Sequence, residues 1–305
     1  MGEASDSMLD AEYSFSDVEP RTANPVLNSY ETNDMTYEFT ATSFKKTSRL
    51  PFNHPYRDGT KFTWFRPWNH ERITNEAKAL KLVSQQTTIP VPKLLEHGKY
   101  MDGRRYLVTE LIDGVTLDEF PSRPCSKPKG EKHADGTSCK ICSNLAYSNA
   151  LKFIEDTVLP QLARLKSQNR GIDGFVMPPH WLDPARPPWK GKRHWETLPL
   201  EKPEYVFQHG DIAAHNLIMD PQTLQPKALI DWEYAGYFPP GMERWPGTLD
   251  AEAYYNRGTQ LAPAIAEFFP KEYLECYKQW SNKAELGKLI EIGQLPHPNS
   301  TVVGP

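Results

Sequence analysis

Two neighbouring segments decide the fold: Tyr205-Val-Phe-Gln-His-Gly-Asp-Ile-Ala-Ala-His-Asn-Leu-Ile-Met-Asp220 and Ala228-Leu-Ile-Asp-Trp-Glu233. The first segment contains two short apolar runs, Tyr205 to Phe207 and Leu217 to Met219, which predict strands. A turn follows, and residues 227–230 predict a third strand, close enough to the second to form a hairpin with it. The polar residues of both segments therefore stand at the ends of predicted strands.

This predicted hairpin brings two oxygen-bearing side chains to the same end of the ribbon. Asn216 precedes one strand and Asp231 follows its antiparallel partner. An amide oxygen and a carboxylate at one place suit a hard divalent cation such as magnesium. Asp211 lies on the loop that leads to the same end, where a second carboxylate can orient a hydroxyl and accept its proton. Metal and base in this arrangement are what phosphoryl transfer requires.

The same residues carry a resemblance to a known family. His209-Gly-Asp211 with Asn216, followed by Ile230-Asp231, resembles the catalytic loop and metal-binding aspartate of aminoglycoside phosphotransferases. Residues 230–236 (Ile-Asp-Trp-Glu-Tyr-Ala-Gly) are also similar to the corresponding segment of choline and ethanolamine kinases. The resemblance covers roughly residues 60–290 and implies a protein kinase-like two-lobed α+β fold, with a small antiparallel-sheet lobe and a larger, mainly helical lobe.

The resemblance implies a role for each matching residue. Asp211 would be the catalytic base, and Asn216 and Asp231 would bind Mg²⁺. His209 would support the loop without reacting. The implied cofactors are ATP and Mg²⁺, and the implied partner is a small molecule with a hydroxyl group that accepts the γ-phosphoryl group.

The nucleotide site is less completely defined by the sequence. The resemblance implies that Glu76, in the first turn of a predicted helix, pairs with the basic residue that grips the nucleotide phosphates. Lys61 and Arg66, both on the predicted strand before Glu76, are the candidates for that residue. Glu110 and Ile112 would lie in the hinge whose backbone groups read adenine. The first lobe contains no clear Gly-rich loop to cover the phosphates.

Three alternatives to a generic small-molecule kinase follow from these observations. Residues 230–236 favour a choline- or ethanolamine-type kinase. The missing Gly-rich loop and the ambiguous lysine favour a catalytically impaired pseudokinase that acts as a scaffold. Protein kinase activity is disfavoured, because the chain lacks an Ala-Pro-Glu signature and an evident activation loop after Asp231.

Residues 121–143 form a predicted insertion with a possible second site. Cys125, His133, Cys139 and Cys142 have side chains that can close a tetrahedral zinc site, and the stretch between them has almost no apolar residues to fold around. A structural zinc ion would explain how such a stretch becomes ordered. The alternative is a flexible insertion with incidental thiols.

Composition sets the remaining expectations. The chain has 305 residues, 38% hydrophobic and 24% charged, with a net charge of −4, which is typical of a globular protein that does not bind nucleic acid. No apolar run has the roughly 20 residues of a membrane helix, and no signal peptide is evident, so we expect a cytoplasmic protein. We expect an acidic, mostly disordered tail over residues 1–40 that contributes at most an edge strand, a nucleotide-binding lobe over 41–112, and a helical catalytic lobe over 113–300.

Overall fold

A computed structural model describes residues 24–64, 66, 68–123, 125, 139–173, 175, 177, 204–238, 249–250, 252–256, 278 and 282–291. In chain order its elements are β1 (Asn28–Glu31), β2 (Met35–Phe39), β3 (Ser43–Ser48), β4 (Phe52–Pro55), β5 (Lys61–Trp64), α1 (Glu71–Gln86), β6 (Leu94–Lys99), β7 (Arg105–Glu110), β8 (Val115–Thr116), α2 (Lys140–Phe153), α3 (Leu159–Leu162), β9 (Lys166–Ser167), β10 (Tyr205–Gln208), β11 (Leu217–Met219), β12 (Pro226–Leu229), β13 (Gly236–Phe238) and α4 (Lys283–Glu291). Strands and helices both contribute substantially, and the predicted α+β class is confirmed.

The first part of the chain is a five-stranded antiparallel sheet covered by one helix. The strand order is β1-β2-β3-β7-β6, and α1 lies along the chain between the β4–β5 hairpin and the edge strand β6. Helix α1 buries Ile73, Ala77, Leu80 and Val83, the residues whose helical spacing predicted it. These side chains form the apolar layer between helix and sheet.

Helix α1 begins before the residues whose type favours a helix cap. Thr74 and Asn75 are such residues, but the helix begins at Glu71, after His70. Both side chains make long-range hydrogen bonds instead: Arg105 donates to Thr74 Oγ1 at 2.5 Å, and Asn75 Nδ2 donates to the carbonyl of Glu233 at 3.0 Å. The side chains of Thr74 and Asn75 therefore form tertiary hydrogen bonds and do not cap the helix.

The sheet begins earlier in the chain than predicted. Strands β1 and β2 both lie within residues 1–40, where the sequence predicted a tail with at most an edge strand. Met35, at the start of β2, is fully buried, which anchors this segment to the core. Only β1 has the exposed character of an edge strand. The other lobe boundaries stay predictions.

Strand β3 was not predicted, and β5 does not join the main sheet. Ser43–Ser48 reads Ser-Phe-Lys-Lys-Thr-Ser, which lacks the apolar alternation of a half-buried strand. It nevertheless pairs on one side with β2 and on the other with β7. Strand β5, which was predicted, pairs only with β4 in a separate two-stranded hairpin.

The second part of the chain holds two small sheets beside a helical segment. One sheet has the order β13-β10-β9 and the other β12-β11-β8. Helices α2 and α3 are joined by a π-helical turn over Ile154–Val158, next to Pro160, where a kink was predicted. Ile154, Val158 and Leu162 are buried on the inner face of this helical segment. Among the described residues, no helix is both long and apolar enough to cross a bilayer.

Candidate active site

The loop after β10 is fixed by a buried histidine. His209 Nε2 lies 2.9 Å from the carbonyl oxygen of Ile230, to which it donates, and its Nδ1 accepts a hydrogen bond from the backbone N–H of Asp211 at 3.1 Å. Both ring nitrogens thus form hydrogen bonds with backbone groups. This geometry agrees with a supporting role for His209 and leaves the ring no nitrogen with which to take up a proton.

Gly210 makes the sharp turn between these two residues. Its φ is +82°, and a Cβ at this position would lie 2.4 Å from the carbonyl oxygen of Tyr234. Only glycine meets both requirements without moving the backbone. The glycine of the His-Gly-Asp motif therefore allows the catalytic loop to lie against the segment that follows Asp231.

The predicted hairpin is confirmed and brings Asn216 to Asp231. Leu217 pairs with Leu229, and the backbone N–H of Ile230 donates to the carbonyl of Asn216 at 2.9 Å. Asp231 follows directly, with φ +62° in the left-handed region that residues other than glycine seldom adopt. A strained backbone at this position holds the Asp231 carboxylate toward Asn216 at the cost of roughly 1–2 kcal/mol.

Asp211 and Asn216 contact each other directly. Asn216 Nδ2 donates to the backbone oxygen of Asp211 at 2.8 Å and lies 3.3 Å from its Oδ2. Both residues are buried. This contact fixes the orientation of the amide and turns its oxygen away from Asp211. The hydroxyl of Tyr254 lies 3.3 Å from Asp211 Oδ1 on another side of the carboxylate.

The lysine that pairs with Glu76 is Lys46. This residue lies on β3, and its Nζ is 3.0 Å from Glu76, 2.6 Å from Asp231 and 2.5 Å from Glu233. Only 5% of the Lys46 side chain is exposed. Burial alone would lower the pKa of this ammonium group, but the three surrounding carboxylates outweigh burial and raise its pKa well above the usual value.

Lys61 and Arg66, the two residues predicted as partners of Glu76, have other positions. Lys61 is an exposed residue of the β4–β5 hairpin. Arg66 donates to Asp34 Oδ2 at 2.7 Å and also to the hydroxyl of Tyr234. The prediction was wrong because it followed the apolar alternation of β5, whereas the site uses the polar strand β3. The signal that identifies β3 is its pairing between β2 and β7, which a single sequence does not reveal.

Glu233 is a site residue that sequence reasoning missed. Its carboxylate binds Lys46 and also accepts a hydrogen bond from Arg72 Nη1 at 2.9 Å, while its backbone carbonyl accepts one from Asn75. Burial would raise the pKa of Glu233, but Lys46 and Arg72 lower it to about 2. The two charged residues of α1 and β3 thus keep Glu233 ionised over the whole physiological range.

The other two carboxylates respond differently to the same surroundings. Burial raises the pKa of Glu76 to about 7, although Lys46 opposes this shift. The pKa of Asp231 is also raised, by desolvation and then by the charge of Glu233. Since 31% of the Asp231 side chain is exposed, we regard its desolvation as smaller than that of Glu76. Three acids that face one lysine cannot all ionise without cost.

A cavity of about 520 Å³ lies beside this cluster. Its polar end is formed by Lys46, Glu76, Asn216 and Asp231. The rest of the wall is mixed. Its apolar members are Tyr30, Tyr37, Phe39, Phe44, Leu80, Pro92, Leu111, Ile112, Val115, Ile218 and Ile230, and its polar members include Glu110, Glu119 and His215. Glu110 and Ile112 are the predicted hinge residues. A cavity with both apolar and polar walls suits a flat ring that carries a polar tail.

The donor set at the polar end fits magnesium. Asp231 offers a carboxylate and Asn216 an amide oxygen, and both line the cavity. Glu76, Asp231 and Glu233 also have oxygens within 4.8 Å of one another. However, Lys46 Nζ contacts all three, so a cation among these acids would compete with an ammonium group already there. The assignment of Asn216 and Asp231 as metal ligands stays a prediction, and Lys46 also contacts Asp231 of that pair.

The structure also describes three of the four residues of the predicted zinc site. Sulfur atoms of Cys125, Cys139 and Cys142 lie within 4.8 Å of one another. His133 lies outside the described residues. This cluster borders a different cavity from the one beside Lys46 and is treated separately below.

Several known proteins are similar to this chain. Residues 63–246 match the model of the family described as the phosphotransferase enzyme family. None of the functionally curated proteins matches the sequence significantly. Solved structures similar to the chain include an aminoglycoside-3'-phosphotransferase of type VIII (17% identity, 71% of this chain and 75% of that chain, TM-score 0.37).

Two further similar structures are complexes. One is a thermostable mutant of aminoglycoside phosphotransferase APH(4)-Ia with ADP and hygromycin B (12% identity, 82% of this chain and 80% of that chain, TM-score 0.42). The other is aminoglycoside phosphotransferase APH(3'')-Id from Streptomyces rimosus with ADP and streptomycin (17% identity, 88% of this chain and 89% of that chain, TM-score 0.41).

Proposed function

The chain belongs to the phosphotransferase enzyme family, and from that membership we propose that it transfers the γ-phosphoryl group of ATP, with Mg²⁺, to a hydroxyl group of a small molecule. The observation that carries the proposal is the meeting of two sets of residues that are far apart in sequence. Lys46 of β3 contacts Asp231 at 2.6 Å, and Asn216 of the catalytic loop lines the same cavity. Phosphoryl transfer needs this combination of a phosphate-binding cation, metal ligands and a nearby base.

The nucleotide would lie in the 520 Å³ cavity with its phosphates at the polar end. Lys46 would bind phosphate oxygens, and Glu76 would hold the lysine in place through their 3.0 Å contact. Asn216 and Asp231 would hold Mg²⁺, which neutralises charge on the phosphates during transfer. Glu110 and Ile112 would present backbone groups to the base at the other end.

Asp211 would act on the acceptor. Its carboxylate is fixed by Asn216 and contacted by Tyr254, so it is oriented before any substrate binds. A carboxylate in this position orients the incoming hydroxyl group and takes its proton as the new P–O bond forms, a contribution of about 10²–10⁴ in rate. The acceptor would approach from the side of Asp211 that faces Tyr254.

The aromatic residues near Asp211 favour one acceptor class as a second candidate. Tyr254 and Tyr255 pack edge to face 5.7 Å apart, and 82% of Tyr255 is exposed. Exposed aromatic faces beside a catalytic carboxylate suit an alcohol with a quaternary or primary ammonium group, as in choline or ethanolamine. This observation supports the choline- or ethanolamine-type alternative.

One of the two arguments for the scaffold alternative is removed by Lys46, and the other, the missing Gly-rich loop, remains. Lys46 supplies the lysine that the sequence left ambiguous. The turn between β1 and β2, residues 32–34, reads Thr-Asn-Asp and contains no glycine, and Asp34 is bound by Arg66 at 2.7 Å. A turn of this type covers phosphates less closely than a Gly-rich loop, which favours weak or absent catalysis.

Thermal unfolding with and without Mg-ATP separates the scaffold from the kinase. A ligand at 100 times its Kd stabilises the native state by about 2.7 kcal/mol, which raises the Tm of a chain of this size by roughly 5 °C. We expect this shift in the wild type and not in Asp231→Ala. No shift at millimolar Mg-ATP would refute the nucleotide site.

Phosphoryl transfer is then measured against a panel of aminoglycosides, choline, ethanolamine and other alcohols. We expect Asp211→Asn to keep the Mg-ATP shift and to lose about 10²–10⁴ in kcat. Asp118→Asn, which changes an exposed acid in the same way, is the matched control. Nucleotide binding without transfer to any acceptor would support the scaffold.

A further inference from the structure

Three cysteines form a compact cluster at the start of α2. Cys139 precedes the helix, Cys142 lies in its first turn, and Cys125 approaches from the segment after the 3₁₀ helix at Leu117–Ser122. Cys139 and Cys142 are buried, and Cys125 is partly buried. The cluster has no part in the chemistry proposed above.

The distances between the sulfurs match those around a tetrahedral metal ion. Cys125 Sγ and Cys142 Sγ are 3.7 Å apart, and the sulfur of Cys139 lies within 4.8 Å of both. Zinc binds thiolates at about 2.3 Å, which places neighbouring ligands of a tetrahedron about 3.8 Å apart. A disulfide requires a separation of about 2.0 Å, so the observed spacing is that of ligands and not of a bridge.

The surroundings leave room for an ion. A cavity of about 250 Å³ adjoins the three sulfurs, with Phe120, Leu224 and Arg123 in its wall. Burial and the neighbouring thiols raise the pKa of Cys142 to about 12, so its thiolate needs the charge of a bound cation. Three thiolates with one divalent cation have a net charge of −1, which the Arg123 guanidinium partly offsets.

We propose that Cys125, Cys139 and Cys142 bind a single zinc ion as a structural site. The ion ties the start of α2 to Cys125, which follows the 3₁₀ helix at Leu117–Ser122. The sequence of residues 126–138 contains one apolar residue, Ala134, too few for a core of its own. His133, predicted from the sequence as the fourth ligand, lies outside the described residues, and the proposal rests on the three thiols.

The first test is the metal content of the full chain, measured by inductively coupled plasma mass spectrometry after purification without chelator. We expect a single equivalent of zinc in the wild type and its loss in Cys125→Ser and Cys142→Ser. Cys276→Ser, which changes the chain's fourth cysteine, is the matched control and should keep the ion. Loss of zinc in this control as well, or wild-type protein that contains none and takes up none when reduced and dialysed against zinc, would overturn the proposal.

A second test uses the wild type alone, since a serine variant that unfolds would not be informative. Chelation of the ion should lower the Tm, and added zinc should restore it. Replacement by Co²⁺ should give sulfur-to-cobalt charge-transfer absorption. Absence of this absorption, or recovery of Cys125 and Cys142 as a disulfide, would overturn the proposal. The Mg-ATP shift does not depend on this site, so the two proposals can fail separately.

Discussion

Replacement of Lys46 by methionine tests the assignment of this residue most directly. Methionine has a similar length and no charge, so the change removes the ammonium that lies within 3.0 Å of Glu76, Asp231 and Glu233. Glu233 keeps Arg72 at 2.9 Å, and Asp231 is 31% exposed and can be hydrated. Glu76, with 7% of its side chain exposed, has neither form of compensation.

The expected cost is therefore that of one uncompensated buried charge. Removal of one partner of a buried ion pair costs about 3–5 kcal/mol. The penalty grows with pH as Glu76 loses its proton, and removal of Lys46, which lowers the pKa of Glu76, raises that pKa further above about 7. It should shrink at pH 5, because Glu76, whose pKa is already raised to about 7, then takes up a proton and no longer needs a cation.

Urea denaturation at pH 8 and pH 5, in metal-free buffer, measures both effects. Lys61→Met is the matched control, since Lys61 is exposed and its loss should change the free energy of unfolding by no more than about 0.5 kcal/mol. The reasoning is refuted if Lys46→Met is as stable as the wild type at pH 8, or if Lys61→Met is destabilised to the same extent. Phosphoryl transfer should likewise be lost in Lys46→Met and kept in Lys61→Met.

Two further predictions concern the same site. Glu76→Gln should reduce the loss of stability between pH 5 and pH 8. A pKa raised from 4.5 to about 7 means that the folded state loses stability as pH rises between these values, by at most roughly 3 kcal/mol, and the amide removes this loss. Denaturation curves at both pH values check this, and a fall in stability equal to that of the wild type would contradict it. Gly210→Ala should destabilise by more than Gly59→Ala, because both have φ above +80° but only at Gly210 does a Cβ meet backbone, at 2.4 Å from Tyr234; equal losses in urea denaturation would contradict this.

The β11–β12 hairpin was predictable because its signals are local. Strands β11 and β12 are short apolar runs separated by a turn, and their pairing follows from that proximity. Once the hairpin forms, Asn216 and Asp231 must stand at one end. Helix α1 could also be predicted, from the helical spacing of its buried apolar residues.

Lys46 was not predictable, because its surroundings are assembled from distant parts of the chain. Its partners lie 30, 185 and 187 residues away. In the sequence it is one of two adjacent lysines in a polar stretch, and nothing local distinguishes it from Lys45, which pairs with Glu38 near the surface. The left-handed backbone conformation of Asp231 could not be predicted for a similar reason. An aspartate prefers a negative φ, and the surrounding structure holds Asp231 at a positive one.

The contacts of α1 have a consequence for how far this helix can move. Arg72, Asn75 and Glu76 bind, in turn, the Glu233 carboxylate, the carbonyls of Glu233 and Ala235, and Lys46. An outward rotation of the helix would break all of these bonds together. Helix α1 is thereby fixed against the segment around Glu233, and a conformational change based on its displacement would be energetically costly.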